Sequence, residues 1–303
     1  MLRDAVVDLP KKVSGGGRVS EDAHVALRHN GCYFYFVIDV HGVSKPNDKK
    51  LDLALNAEKR RFARYIESEF AIACYRFGDP QKLNRVFSEI TKMIDITFSD
   101  GHFGAAVAGC VIDEDGVTIV HLGDSRVYAF DPDITKGYRQ LTVDHNPANP
   151  VELARLRELD PKQESFRVIV HPIVKRPIRA DNVELRLHYV NGQGKESDQS
   201  IAMTRGFGDK LFRPAFCQLP EINWWPHNRF PPEAILAVCS DGASQAVEDT
   251  FGYYANIDVQ PDAAACKFRC ESLLHNYGPA DDATAIFIPL KEEATEELAF
   301  FKH

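Results

Sequence analysis

The chain has 303 residues, in which 36 lysines and arginines stand against 44 aspartates and glutamates, and its formal net charge is −8. Hydrophobic residues make up 44% of the sequence, a proportion typical of a globular protein with an apolar core. A mildly acidic chain of this kind is a poor general binder of nucleic acid or of an anionic membrane surface, and we expect neither partner.

The cysteines and the N-terminal residues indicate the compartment in which the chain works. The seven cysteines are scattered and include no CxxC pair, so the sequence predicts neither a zinc ribbon nor a disulfide framework. The N-terminal residues lack the apolar segment of a secretion signal, and no stretch of roughly 18 apolar residues follows. We therefore expect a cytoplasmic protein with reduced thiols and no membrane insertion, while export by a non-classical route stays open.

Strand-like and helical segments alternate in the first third of the chain. Residues 23–27 and 32–38 flank an Asn-Gly turn signal and predict a β-hairpin, whose buried second strand ends directly at Asp39. Apolar residues then recur at helical spacing over residues 51–77 and 81–98, which predicts two consecutive amphipathic helices. Two such helices must cover an apolar surface, and we expect that surface to be a sheet.

The remaining segments predict a mixed fold in a single domain spanning residues 1–303. Further strands are expected at 104–112, 117–122, 127–130, 234–238 and 283–288. Further helices are expected near 151–159 and 263–277. Residues 166–200 place strand-like pieces around a glycine-containing loop and predict a divergent, flap-like excursion, and residues 291–303 predict a short helical or frayed tail.

Acidic residues recur at the ends of the predicted strands. The residues concerned are Asp39, Asp124, Asp241, the pair Asp281-Asp282 and the pair Glu21-Asp22. Any single one of them is equally compatible with the ordinary preference of aspartate for turns and caps. Together they predict a cluster of carboxylates, whose mutual repulsion a divalent cation relieves. Ligation by oxygen atoms, without cysteine or paired histidine, favours Mg²⁺ or Mn²⁺.

Two more side chains are candidates for a role beside such a cation. His41 lies two residues after Asp39, and Arg18 lies in a glycine-rich loop close to Glu21. Taken alone, His41 also fits a packed or surface histidine, and Arg18 also fits a solvated arginine. The residues by themselves leave both interpretations open.

The order of these motifs resembles that of the PP2C-type (PPM) metal-dependent protein serine/threonine phosphatases. The motifs that carry the resemblance are Arg18 with Glu21-Asp22-Ala23-His24, Val37-Ile38-Asp39-Val40-His41-Gly42, Gly123-Asp124-Ser125-Arg126, Leu141-Thr142-Val143-Asp144-His145-Asn146-Pro147, Thr204-Arg205-Gly206-Phe207-Gly208-Asp209, Pro220-Glu221-Ile222, Ser240-Asp241-Gly242 and Asp281-Asp282-Ala283-Thr284. Each motif is weak alone, but their order along nearly the whole chain makes the set specific.

The resemblance implies an α+β fold, the PP2C-like αββα sandwich of two mixed, mainly antiparallel β-sheets flanked by helices. It implies hydrolysis of phosphoserine and phosphothreonine in proteins by a water that two divalent cations, Mn²⁺ or Mg²⁺, activate. The partner would then be a phosphorylated protein, and the chain would act as a monomer.

The resemblance also implies a role for each site residue. The implied metal ligands are Asp39, Val40 through its backbone carbonyl, Asp241, Asp281, Glu21 through water, and Asp124 at a weaker third site. Among them, Asp39 would bridge the two cations, and Asp241 and Asp281 would bind the first. Arg18 would hold the substrate phosphate, and His41 would be the general acid. Arg126 and Arg205 are expected to be structural.

The chain departs from the usual family pattern at four places. These are Val40 in place of glycine, Val43 in place of a second glycine after Gly42, Asp282 in place of asparagine, and Arg18 one residue closer to Glu21. We expect Val40 to continue the extended backbone of its strand, where a β-branched residue is comfortable.

Two other functions stay open at this point. One is a pseudophosphatase that binds a phosphoprotein without hydrolysing it, and the other is a phosphatase for a small phosphorylated substrate. Retention of Asp39, Asp241 and Asp281 favours catalysis over binding alone. Residues 166–200 match the family poorly, so we expect substrate choice to depend on them.

Overall fold

The computed structural model describes residues 5–9, 22–42, 49–77, 80–98, 103–162, 165–172, 183–190, 194–231, 233–277 and 282–290. Three predicted site residues, Arg18, Glu21 and Asp281, lie outside these ranges, as do the tail 291–303 and part of the excursion 166–200. No helix in the described part of the chain is long and apolar enough to cross a membrane.

The described residues form fourteen β-strands and five α-helices. The strands are β1 (Ala5–Leu9), β2 (Ala23–His29), β3 (Cys32–Gly42), β4 (Phe103–Ile112), β5 (Gly116–Leu122), β6 (Arg126–Phe130), β7 (Tyr138–Gln140), β8 (Phe166–Pro172), β9 (Val183–Val190), β10 (Glu196–Ile201), β11 (Phe207–Gly208), β12 (Glu221–Pro226), β13 (Ile235–Cys239) and β14 (Ala283–Pro289). The helices are α1 (Lys49–Phe77), α2 (Leu83–Thr97), α3 (Pro150–Leu159), α4 (Asp241–Asn256) and α5 (Ala263–Tyr277).

The described strands assemble into two large sheets and one small sheet. The first large sheet has the order β12-β5-β4-β3-β2, and the short β11 also pairs with β4. The second large sheet has the order β1-β14-β13-β6-β7, and the small sheet, β10-β9-β8, is built from the excursion. All pairs of these named strands are antiparallel.

The buried residues show how the two large sheets stack. On β3, Phe34, Phe36 and Ile38 pack in one cluster with the apolar faces of α1 and α2. On the opposite face of the same strand, Tyr35 and Val37 pack with residues of β6, β13 and β14 from the second sheet. The outer face of the second sheet packs against α4 and α5. The layers therefore run helices, sheet, sheet, helices, which confirms the predicted αββα sandwich.

The predicted hairpin is confirmed, but its second strand is longer than the sequence indicated. Asn30 and Gly31 form the two-residue turn with φ of +50° and +80°, the left-handed conformation that an Asn-Gly turn favours. Strand β3 does not end at Asp39 but continues to Gly42, pairing Asp39 with Ala106 of β4. The strand end predicted at Asp39 was wrong, because pairing to a central neighbouring strand outweighs the weak strand propensity of aspartate.

Helix α4 was not predicted, because glycine and serine in its first turn weaken the helical pattern. It places Asp241 at the first position of a helix that directly follows β13. A carboxylate at this position is favoured by the partial positive charge of a helix N-terminus. The strand end predicted before Asp241 is therefore correct. The helix that follows gives a second physical reason for an aspartate at this position, in addition to the predicted metal binding.

Candidate functional site

Strand β3 carries two of the predicted site residues, Asp39 and His41. Tyr35 and Val37 face the second sheet, and side chains two residues apart lie on the same face of a strand. Asp39 and His41 therefore continue this row toward the end of the gap between the sheets. Val40 lies between them with its side chain buried on the helix side, and its backbone is part of the β3–β4 ladder. The expected extended backbone at Val40 is confirmed.

Four further aspartates gather around this end of the sandwich, and we call them the acidic cluster. They are Asp22 before β2, Asp124 after β5, Asp241 at the start of α4 and Asp282 before β14. Ala23 pairs with Ile38, which brings Asp22 to the level of Asp39. Burial raises the pKa of Asp22 well above its ordinary value, and the charge of Asp282 adds to this increase. Carboxylates from both sheets thus lie within electrostatic reach of one another.

Asp124 carries the strongest indication that a cation binds at the acidic cluster. Burial raises the pKa of its carboxyl to about 7, and the charges of Asp241 and Asp144 contribute to the increase. Its Oδ1 atom is buried without a hydrogen-bond partner among the described residues. A buried acceptor surrounded by like charge is costly unless a cation neutralises it. The donor set of carboxylate oxygens therefore fits Mg²⁺ or Mn²⁺.

His41 forms a close pair with Asp209, a residue to which the sequence had assigned no role. The Nε2 atom of His41 lies 2.6 Å from Oδ2 of Asp209. Asp209 follows β11 in a left-handed conformation with φ of +43° and is nearly buried. Gly104 of β4 pairs with both His41 and Gly208, and a Cβ atom there would collide with the imidazole and the carboxylate. A glycine at this position therefore leaves room for the pair.

The contact with Asp209 sets the chemistry of the His41 ring. Burial lowers the pKa of His41, but the charge and hydrogen bond of Asp209 raise it more, so the pKa lies above its ordinary value. Because Nε2 is engaged by Asp209, the ring nitrogen left for another partner is Nδ1. Nδ1 is buried and has no hydrogen-bond partner within the described ranges.

The two arginines that were expected to be structural both bind protein carboxylates. Arg126 donates to both oxygens of Asp144, from Nε at 2.8 Å and from Nη2 at 2.7 Å. Arg205 donates from Nε and Nη2 to Oε1 of the fully buried Glu152. Both guanidinium groups are thus committed to protein carboxylates.

Comparison with known proteins agrees with this arrangement. The profile of the family described as protein phosphatase 2C matches residues 18–251. No curated protein sequence matches the chain significantly.

Solved structures give the same architecture. A sex-determining protein from C. elegans superposes with a TM-score of 0.62 at 18% identity, over 96% of this chain and 65% of that chain. A serine/threonine phosphatase from Staphylococcus aureus gives 0.60 at 13% identity, over 96% of both chains. A PPM Ser-Thr phosphatase from Mycobacterium smegmatis in complex with cacodylate gives 0.56 at 16% identity, over 94% of this chain and 97% of that chain. At these identities the superpositions establish the fold.

The family profile covers most of the chain, and its span contains the strand that carries Asp39 and His41 as well as Asp124 and Asp241. The layered fold and the gathered carboxylates agree with it. The chain therefore belongs to the protein phosphatase 2C family of metal-dependent protein serine/threonine phosphatases.

Proposed function

We propose that this protein hydrolyses phosphoserine and phosphothreonine in other proteins with the help of two divalent cations, Mn²⁺ or Mg²⁺, held at the acidic cluster and Asp39. The observation that carries the proposal is the buried Oδ1 of Asp124, which lacks a hydrogen-bond partner among the described residues while the carboxyl pKa is raised to about 7. A bound cation stabilises such a carboxylate, and without a cation its ionised form destabilises the fold.

The ligands proposed for the cations come from several elements. They are Asp39, the backbone carbonyl of Val40, Asp241, Asp281, Glu21 through water, and Asp124 at a weaker third site. When bound, the cations supply Lewis-acid chemistry, since they neutralise phosphoryl charge and make water a better nucleophile.

The chain itself would bind the phosphate and protonate the leaving group. Arg18 is proposed to hold two phosphate oxygens, because its planar guanidinium matches their spacing. The leaving seryl or threonyl oxygen is very basic, so a proton from His41 would assist its departure. With Nε2 of His41 committed to Asp209, that proton would come from Nδ1.

We further propose that the chain acts as one catalytic domain and as a monomer, and that the excursion selects the substrate. The small sheet β8–β10 supports a separate role for the excursion, because it pairs with neither large sheet in the described residues. Its apolar residues Phe166, Leu187 and Ile201 pack instead around Phe212 and Phe216.

The test is hydrolysis of phosphopeptides and of p-nitrophenyl phosphate by the purified chain, with Mn²⁺, with Mg²⁺ and after exhaustive chelation. We expect activity with both substrates that EDTA removes and Mn²⁺ restores. Activity that survives chelation would overturn the metal mechanism. Phosphopeptide binding without turnover would indicate a pseudophosphatase, and turnover of phosphorylated metabolites alone would indicate a small-molecule phosphatase.

A further inference from the structure

Two histidines bind the backbone N–H and C=O groups of Gly123, the residue directly before Asp124. The rings of His121 and His145 are buried and stacked, with centroids 3.9 Å apart and 12° between their planes. The backbone N–H of Gly123 donates to Nδ1 of His145 at 3.1 Å. The carbonyl oxygen of Gly123 accepts from Nε2 of His121 at 3.0 Å and from the backbone N–H of His145 at 2.8 Å. We call the two histidines the Gly123 clamp.

The clamp and Glu221 lie close enough together to hold a metal ion, but their hydrogen bonds favour another interpretation. Because the N–H of Gly123 can only donate, Nδ1 of His145 carries no proton, and the neutral ring is protonated at Nε2. The Nε2–H group of His145 then donates to Oε2 of Glu221 at 3.4 Å. Burial lowers the pKa of both rings and keeps them neutral. Metal ligation by His145 would require this arrangement to be dismantled.

Gly123 needs the clamp because its own conformation is unusual. Its φ is +114°, and a Cβ atom built there would lie 2.5 Å from Cβ of Ala106. Only glycine fits, yet glycine is also the residue with the most backbone freedom. Ala106 is the partner of Asp39 in the β3–β4 ladder. The clamp therefore holds the backbone of Gly123 against Ala106, the residue of β4 that pairs with Asp39.

We propose that the Gly123 clamp holds the carboxylate of Asp124 within reach of a cation at the acidic cluster. The inference rests on the proposed function, in which Asp124 is a metal ligand. His121 and His145 act through Asp124 and are therefore positioning residues. This gives a role to the motifs around Asp144-His145 and Pro220-Glu221, which the reaction chemistry itself leaves without one.

The test exploits the opposite hydrogen-bonding roles of the two rings. Asparagine places its oxygen near the position of Nδ1, and glutamine places its amide nitrogen near the position of Nε2. His145→Asn therefore keeps an acceptor for the N–H of Gly123, and His145→Gln loses it. At the other ring the preference is reversed, because His121→Gln keeps a donor for the carbonyl of Gly123 and His121→Asn loses it.

The readout is Mn²⁺ binding to the full chain by isothermal titration calorimetry, and the binding lost in Asp124→Asn defines the Asp124-dependent site. We expect its Kd to rise by about tenfold or more in His145→Gln and His121→Asn, and by less than about threefold in the other two variants. The matched control is His227→Asn, which loses a hydrogen bond to the carbonyl of Asp113 at the other end of β5 and should bind as wild type.

Combination with Asp124→Asn separates positioning from a general structural role. If the clamp acts through Asp124, His145→Gln has no further effect on Mn²⁺ binding in the Asp124→Asn background. A further loss there, equal losses in the Asn and Gln variants, or wild-type binding in all four would overturn the inference. Melting in EDTA verifies folding, and if His145→Gln does not fold, the His121 pair decides.

The two proposals fail in different ways. A wild-type chain that binds no Mn²⁺ overturns both of them. A wild-type chain that binds Mn²⁺ and shows the clamp effects but hydrolyses no phosphopeptide overturns the proposed function alone.

Discussion

The acidic cluster and the surroundings of Glu152 both bury carboxylates, but the pKa of Glu152 is lowered and that of Asp124 is raised. Glu152 accepts hydrogen bonds from Arg205, from Arg155 at 2.8 Å and from the hydroxyl of Thr204 at 2.8 Å. Burial raises the pKa of Glu152, but these bonds lower it more, so the pKa lies below its ordinary value. At Asp124, burial raises the pKa to about 7 and neighbouring carboxylates add to the increase.

Under the proposed function, this difference separates a structural acid, Glu152, from a metal-binding one, Asp124. The cations that Glu152 needs are built into the chain, so its network joins α3 to the segment before β11 whether or not any metal is present. In the acidic cluster, burial and neighbouring carboxylates raise the pKa values of Asp22 and Asp124, so ionisation of these two groups opposes folding. Such a local cost is expected where function requires it, and the proposed cations would offset it.

The largest effect is expected at Asp39. If Asp39 had only a structural role, as Glu152 has, its substitution would leave activity nearly intact and the contrast between the two regions would fail. Asp39→Asn should lower kcat/KM by at least about 10³-fold, roughly 4 kcal/mol, because it removes the proposed bridging ligand. The assay is p-nitrophenyl phosphate hydrolysis at saturating Mn²⁺, with a melting curve to verify the fold. A loss of less than about tenfold would contradict the proposed role.

The pair of His41 and Asp209 lies between these two cases, because the carboxylate of Asp209 is balanced by a histidine that can gain or lose its charge. His41→Gln should lower kcat for phosphopeptides by about 10²-fold and for p-nitrophenyl phosphate by much less, because p-nitrophenolate leaves without a proton. Steady-state kinetics on both substrates measures the contrast. Equal losses would assign His41 a structural role instead.

A stability measurement tests the Glu152 side of the comparison. Glu152→Gln should lower the free energy of unfolding by about 3 kcal/mol, because it leaves the half-buried Arg205 and Arg155 with a neutral partner. Urea unfolding in EDTA gives the value, and Glu158→Gln on the exposed face of the same helix is the matched control. An effect as small as that of the control would mean that solvent, and not Glu152, balances the arginines.

The same measurement should give the opposite sign at Asp124. Without metal, Asp124→Asn should raise the free energy of unfolding by about 1 kcal/mol, because it removes a buried negative charge that neighbouring carboxylates repel. The exposed Asp133→Asn serves as the control for removal of one negative charge. Destabilisation by Asp124→Asn would show that its carboxylate already has a compensating partner in the metal-free chain.

The sequence predicted the layers of the fold and most of the acids, but not how they pair. The Asn-Gly turn and the apolar periodicity act over short distances and gave β2, α1, α2 and the start of β3 correctly. Asp209 lies 168 residues from His41, and no local pattern could join them. The available signal was a Gly-Asp pair, which favours the left-handed conformation that the structure shows. The continuation of β3 past Asp39 was likewise set by pairing with Ala106 on a distant strand.

The last prediction is a pH dependence of stability that separates the Gly123 clamp from the acidic cluster. Burial lowers the pKa of His121 and His145, while the unfolded chain takes up their protons near the ordinary value of about 6.5. Below that pH the unfolded state binds more protons, so these two groups reduce stability as pH falls. The raised pKa values of Asp22 and Asp124 act in the other direction, because the folded state then takes up the proton first and stability is lost as pH rises.

The two contributions can be separated with His145→Asn, which removes a titrating ring but keeps an acceptor for Gly123. In EDTA, the stability of wild type relative to this variant should fall between about pH 6.5 and 5, by at most about 1.4 kcal/mol per pH unit. Urea unfolding at several pH values gives the slope of the difference, and the contribution of the aspartates, present in both proteins, cancels. A flat difference would mean that His145 takes up a proton in the folded chain. Its Nδ1 would then be unable to accept from Gly123, and the hydrogen bond on which the clamp depends would be absent.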